Sequence, residues 1–143
     1  MMEDYKGSHE SPNEKNGAPL HDLTANGVYP DDVYGNKAYY YYGHGEDVKE
    51  DKNLLSKIHA YKNKPEATVE IHRAIPRDVS KETKINKGDW VTISKNYARE
   101  HGEGPLGGDY RVISQRVPAK HLFTNGDSPY EFGYHPHEIK KSK

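Results

Sequence analysis

The sequence predicts a small α+β domain in which one long helix comes first and short strands follow. Three observations predict it. The 143 residues fit one domain at roughly 150 residues per domain. One helical apolar stripe lies in the first half of the chain, whereas the later apolar residues alternate with the period of a strand. Leu, Ile, Val and Phe make up only about one residue in six. That is below the roughly 20% at which disorder becomes a concern. The other half of the disorder signature, a high net charge, is missing: 21 basic and 22 acidic residues leave a formal charge of −1. Twelve Tyr and one Trp supply apolar area with polar tips, which suits a half-wet cleft. The expected object is a small, marginally stable core with long polar loops.

Residues 1–17 carry almost no aliphatic side chain and are expected to form an unstructured tail. A single domain is expected over residues 18–138, with 139–143 a short basic tail. Residues 18–45 are rich in Gly, Pro, Asp, Asn and Tyr without a regular period. A loop that long is usually functional or disordered, and Tyr29, Tyr34 and Tyr39 to Tyr42 argue that it packs against something.

The helix is expected over 47–63. Val48, Leu54, Leu55, Ile58 and Tyr61 fall mostly on one stripe, acidic residues lead it, and Lys62 and Asn63 close it before Pro65. A strand follows over 68–75, with Val69, Ile71, Arg73 and Ile75 on one face and Thr68, Glu70, His72 and Ala74 on the other. Arg73 thus shares a face with three core residues, and a buried guanidinium must find a partner. Gly88 and Asp89 turn into a strand over 90–94, with Trp90, Thr92 and Ser94 on one face. A short helix over 95–101 is expected to be capped by Ser94 or Asn96 and stopped by Gly102. A mobile Gly-rich loop over 102–108, a strand over 109–117, a connection over 118–123 leading to a turn at Asn125, Gly126 and Asp127, and a strand over 130–135 complete the chain.

Several chemistries are excluded. No apolar run approaches the roughly 18 residues of a membrane span, and no signal-peptide stretch is present. The absence of Cys removes disulfides, thiol nucleophiles and Cys-based zinc sites. The chain therefore reads as soluble and cytoplasmic. Near-neutral charge argues against a dedicated nucleic-acid binder. His135, His137 and Glu138 are the tightest ligand-type group, but Pro136 holds them extended, and they read as solvated surface residues, so no metal is expected. Neither a G-x-S-x-G elbow nor a P-loop or dinucleotide fingerprint occurs.

What remains is Arg73 on one strand, Thr92 and Ser94 on the next, and Glu131 on the last. The arrangement fits anion plus ribose binding: a guanidinium for a phosphate, hydroxyls for a polar ligand, and a carboxylate facing a sugar and a developing cation. It also fits ordinary strand chemistry with a solvated Glu.

The segments G-A-P-L-H-D-L-T-A-N-G-V-Y-P-D-D-V-Y, T-V-E-I-H-R-A-I-P, I-N-K-G-D-W-V-T-I-S-K-N-Y-A-R-E-H-G and V-I-S-Q-R-V-P-A-K-H-L-F-T-N-G-D-S-P-Y-E-F-G-Y-H-P together resemble, in order, an ADP-ribosyltransferase-like family of bacteriophages and prophages. The match covers about residues 17–136. The resemblance implies a small split β-sandwich of the ADP-ribosyltransferase type and an Arg–Ser–Glu constellation. Arg73 is its first element, Thr92-Ile93-Ser94 stands where Ser-Thr-Ser would be, and Glu131 stands at the catalytic Glu. The resemblance leaves the hydroxyl that orients Glu131 to Thr92 or Ser94. Pro129 occupies the position two before Glu131, where arginine-modifying members carry Glu or Gln, so the acceptor atom stays open.

The resemblance further implies NAD as substrate, contacted by Arg73 with its neighbours His72 and Ala74, by Thr92 and Ser94, and by Trp90 and Tyr97. Trp90 serves either as a ring cover or as core packing. The implied activity is a phage-encoded NAD–protein ADP-ribosyltransferase acting on a bacterial host or defence protein, with a nucleic-acid acceptor less favoured. The rival readings are a degenerate binding protein that inhibits a defence complex and an NAD glycohydrolase toxin that uses water as acceptor.

Overall fold

The structure, a computed structural model, describes residues 10–136; the first nine residues of the tail expected over 1–17, the end of the expected domain with His137 and Glu138, and the basic tail over 139–143 lie outside them. Mixed α+β architecture is observed, with three α-helices and two antiparallel sheets among the described residues. β1 (Ala18–Pro19), β5 (Leu122–Thr124), β6 (Phe132–Tyr134) and β3 (Trp90–Val91) form one sheet in that spatial order. β2 (Thr68–Pro76) and β4 (Tyr110–Pro118) form the second, paired from Thr68 with Pro118 to Pro76 with Tyr110. The sheets are joined where His72 and Thr92 exchange two backbone hydrogen bonds of 2.8 and 3.0 Å.

The long helix α2 (Val48–Ala60) begins where Asp47 accepts a bond from the Glu50 amide at 3.1 Å and buries Leu54, Leu55 and Ile58. It ends at Ala60, and three residues on, Asn63 takes a positive φ (64°), its N–H donating to the His21 carbonyl at 2.9 Å. The tyrosine-rich arm is not a loose loop. It forms β1, two 3₁₀ turns and α1 (Ala38–Tyr42). Leu20, Leu23, Tyr29 and Val33 from this arm join Ile71, Leu122 and Phe132 in the core. No sequence period announced this because each element spans only two to five residues.

Further expectations are corrected. The strand expected over 90–94 pairs regularly only at Trp90 and Val91, because Thr92 crosses to β2 and Ser94 turns into the N-cap of α3 (Lys95–Glu103). Gly102 does not stop α3. It lies inside the helix, where a Cβ would sit 2.2 Å from the Tyr110 ring, so its missing side chain lets helix and strand approach. The helix ends at Glu103 with Gly104 as its C-cap, and the chain then turns back through Gly107 and Gly108, both at positive φ, the Gly108 amide donating to the Gly102 carbonyl at 2.8 Å.

Residues 10–17 also depart from the unstructured reading. Ser11 and Pro12 are buried, and the Ser11 hydroxyl donates to the Gly88 carbonyl at 2.8 Å. Its oxygen also meets His135 Nε2 at 2.8 Å, so His135 is a packed residue rather than a solvated one. Gly133 makes room for this segment: a Cβ there would lie 2.4 Å from the Pro12 carbonyl oxygen.

Burial lowers the pKa of His21, His72 and His135 below 6.5. The unfolded chain then binds more protons than the folded one in mildly acidic solution. The stability these residues contribute is present above about pH 6.5 and is lost as pH falls through their folded values. The Tm measured by scanning calorimetry is therefore expected to fall steadily from pH 7.5 to 5.5. A Tm that is level or rises on acidification would contradict the burial of these rings.

Candidate functional site

The His72–Thr92 junction leaves a cleft, open to solvent on one side, between the end of β2, the start of β3 and the first turns of α3. Arg73, His72 and Ala74 reach it from β2, Trp90 and Thr92 from β3 and its extension, Tyr97 from α3, and Glu131 from the turn before β6. Seven of the eight residues singled out by sequence therefore share one cavity. Ser94 is absent from its lining. Its hydroxyl caps α3 by accepting from the Tyr97 amide at 3.1 Å and donates to Glu50 Oε2 at 2.7 Å, which ties α3 to α2.

Arg73 is placed as its strand alternation demands, with its side chain 18% exposed. Nη1 donates to the Trp90 carbonyl at 2.9 Å, and Nε faces Asp89 Oδ2 at 3.9 Å. The buried-face cation is thus compensated by one backbone dipole and one distant carboxylate. Its Nη2 hydrogens carry no bond among the described residues and are available to an anion. On the opposite face, His72 Nδ1 meets the Ser114 hydroxyl at 2.7 Å, and burial keeps the imidazole neutral near pH 7. The indole of Trp90 forms part of the wall and lies outside the main apolar cluster, with its buried Nε1–H lacking an acceptor.

Glu131 stands just before β6, where the Ser128 hydroxyl accepts from the Tyr130 amide at 3.1 Å and shapes the turn. Glu131 Oε2 accepts a hydrogen bond from the Tyr97 hydroxyl. Burial, together with this carboxylate, raises the Tyr97 pKa well above the ordinary tyrosine value, so the phenol remains a donor. Tyr97 stacks on Tyr130 with ring centroids 4.8 Å apart and planes at 23°. The Tyr130 hydroxyl donates to Asp51 Oδ1 at 2.7 Å.

Asp51 is 2% exposed and also accepts from the His44 amide at 3.2 Å and the Gly45 amide at 2.9 Å. Gly43 lies so close that a Cβ would meet the Asp51 carboxyl carbon at 2.4 Å. The outer side of this region is acidic. Burial first, then Glu50, Glu46 and Asp47, raises the pKa of Glu100.

Sequence reasoning missed His101, which also lines the cleft, and the two carboxylates Asp51 and Asp89 that support it. His101 was within reach, since four residues after Tyr97 places it on the same helix face. Asp51 gave no signal, because it sits in an acidic first turn that looks like ordinary helix-dipole chemistry.

No protein-family model, curated protein or solved structure matches this chain. No group of three or more metal-ligating side chains occurs among the described residues. No helix among them is long and apolar enough to cross a membrane.

Proposed function

We propose that the chain binds NAD in this cleft and transfers ADP-ribose to a macromolecule, with an ADP-ribosyltransferase-type fold as its scaffold. One observation carries the reading: a guanidinium from β2 and a carboxylate from the turn before β6, far apart in sequence, line the same cavity.

In this reading Arg73 holds the pyrophosphate through its unengaged N–H groups, and Trp90 offers a ring face to a base. Glu131 Oε2 is occupied by Tyr97, and Oε1 accepts from the 2′-hydroxyl of the nicotinamide ribose. As the bond between the anomeric carbon and nicotinamide breaks, the electron pair leaves with nicotinamide, and Glu131 stabilises the cation left on the sugar. A nucleophilic atom of the acceptor then bonds to that carbon and loses its proton to solvent. A bacterial host or defence protein inside a phage-infected cell is the acceptor this reading favours, and water in its place makes the same site an NAD glycohydrolase.

NAD is expected to raise the Tm of the wild-type chain by mass action. Arg73→Ala should abolish most of that rise in differential scanning fluorimetry. An equal rise in both proteins removes Arg73 from the site. Labelled-NAD transfer in bacterial lysate identifies the acceptor. If no protein is labelled while free ADP-ribose accumulates, the hydrolase reading wins.

A further inference from the structure

We propose that Tyr97 is the positioning residue for Glu131, a role that the resemblance leaves to a strand hydroxyl of Thr92 or Ser94. The inference rests on the NAD reading above and concerns how its carboxylate is held. Neither strand hydroxyl is bonded to Glu131. The Thr92 side chain accepts from the Ser94 amide at 3.1 Å, and the Ser94 hydroxyl is spent on Glu50 and the α3 cap. The hydroxyl that does reach Glu131 belongs to Tyr97, at the start of α3.

Tyr97 is itself fixed from two sides. The Ser94 cap sets its backbone, and the stack on Tyr130 sets its ring. Tyr130 in turn is anchored through its hydroxyl to buried Asp51. Two phenol–carboxylate pairs therefore lie one on the other. The inner one, Asp51 with Tyr130, is sealed in the protein; the outer one, Glu131 with Tyr97, opens on the cleft. A carboxylate held by one oxygen has its rotation fixed and its second oxygen directed to a ligand. That is the preorganisation a developing cation requires, because nothing must reorient as charge appears. A phenol is well matched to holding it, being neutral, with one hydrogen to give and burial to keep that hydrogen in place.

The test uses the full chain with NAD as probe, comparing wild type, Tyr97→Phe, Tyr130→Phe and Glu131→Gln. Tyr97→Phe keeps the ring stack and removes the hydroxyl. Its kcat for nicotinamide release should fall about 10- to 100-fold, the rate equivalent of a hydrogen bond to a charged group. KM for NAD and the NAD-induced rise in Tm should stay near wild type. Tyr130→Phe should give a smaller loss of kcat in the same direction.

Independently of activity, proton NMR of the wild type should show a protected phenolic resonance that is absent in Tyr97→Phe and displaced in Glu131→Gln. An active wild type with an unaltered kcat in Tyr97→Phe overturns the positioning role and leaves the NAD reading intact. A parallel collapse of kcat, KM and Tm in Tyr97→Phe shows a merely structural residue and likewise overturns it. A wild type that neither releases nicotinamide nor gains Tm with NAD overturns the NAD reading and the role with it. Absence of the phenolic resonance from the wild type overturns the hydrogen bond itself.

Discussion

Glu131→Gln is expected to lower ADP-ribose transfer and nicotinamide release by about 10²- to 10³-fold, the scale seen when one preorganised electrostatic group is removed. The substitution is nearly isosteric, so Tyr97 can still donate to the amide oxygen and the cleft should keep its shape. What disappears is the negative charge facing the sugar. NAD-induced stabilisation should therefore survive while turnover is lost, a separation that labelled-NAD transfer and thermal shift measure on the same sample. Signal that persists unchanged in Glu131→Gln would place the chemistry elsewhere. If neither protein turns NAD over yet both keep a biological effect on a partner, the fold acts as a docking module.

The largest expected loss of stability belongs to Asp51→Ala. The wild-type carboxylate is 2% exposed and takes hydrogen bonds from two backbone amides and the Tyr130 hydroxyl. Alanine leaves three donors without an acceptor. The Tyr130 hydroxyl is buried, and losing its partner costs about 1–3 kcal/mol, whereas the His44 and Gly45 amides sit on exposed residues that water can reach and add less, so a total on the order of 2–4 kcal/mol is expected. That is a large share of the 5–15 kcal/mol that typically separates folded from unfolded domains. Asp51→Asn retains one carbonyl oxygen but turns an NH₂ group toward an N–H donor, and should fall between the two. Urea denaturation orders the three proteins. An Asp51→Ala midpoint within error of wild type would contradict the burial and bonding described for this residue.

The long elements were legible from the sequence and the short ones were not. Strand alternation alone put Arg73 on the apolar face of β2, and the structure finds it there with a carbonyl and a carboxylate for company. The helix expected over 47–63 was legible from its stripe and its acidic start for the same reason, that many residues repeat one physical instruction, although it ends at Ala60. β1 and β5 hold two and three residues, too few for a period to emerge, and their pairing is set by contacts between opposite ends of the chain.

At the site, residue types and their order singled out Arg73, Glu131 and the hydroxyl pair Thr92 and Ser94 without choosing between the two, and the cleft takes in Thr92 but not Ser94. Which hydroxyl reaches Glu131 was not legible, because that depends on where α3 starts. Ser94 is the better cap, and once it is used for that purpose Tyr97 is carried one turn inward to face the carboxylate. Local capping and long-range chemistry draw on the same side chains, and a linear reading has no way to tell which claim prevails.

The seating of Ser11 and Pro12 over Gly133 bears on where this protein can be cut or joined. A chain shortened to residue 18 would open the backbone at Gly133 to water, on the strand that follows directly from Glu131, and would deprive the Gly88 carbonyl of its donor. The smallest version that should fold with an undisturbed cleft thus begins at or before residue 10. A reporter protein is accordingly better fused ahead of that point than at residue 17.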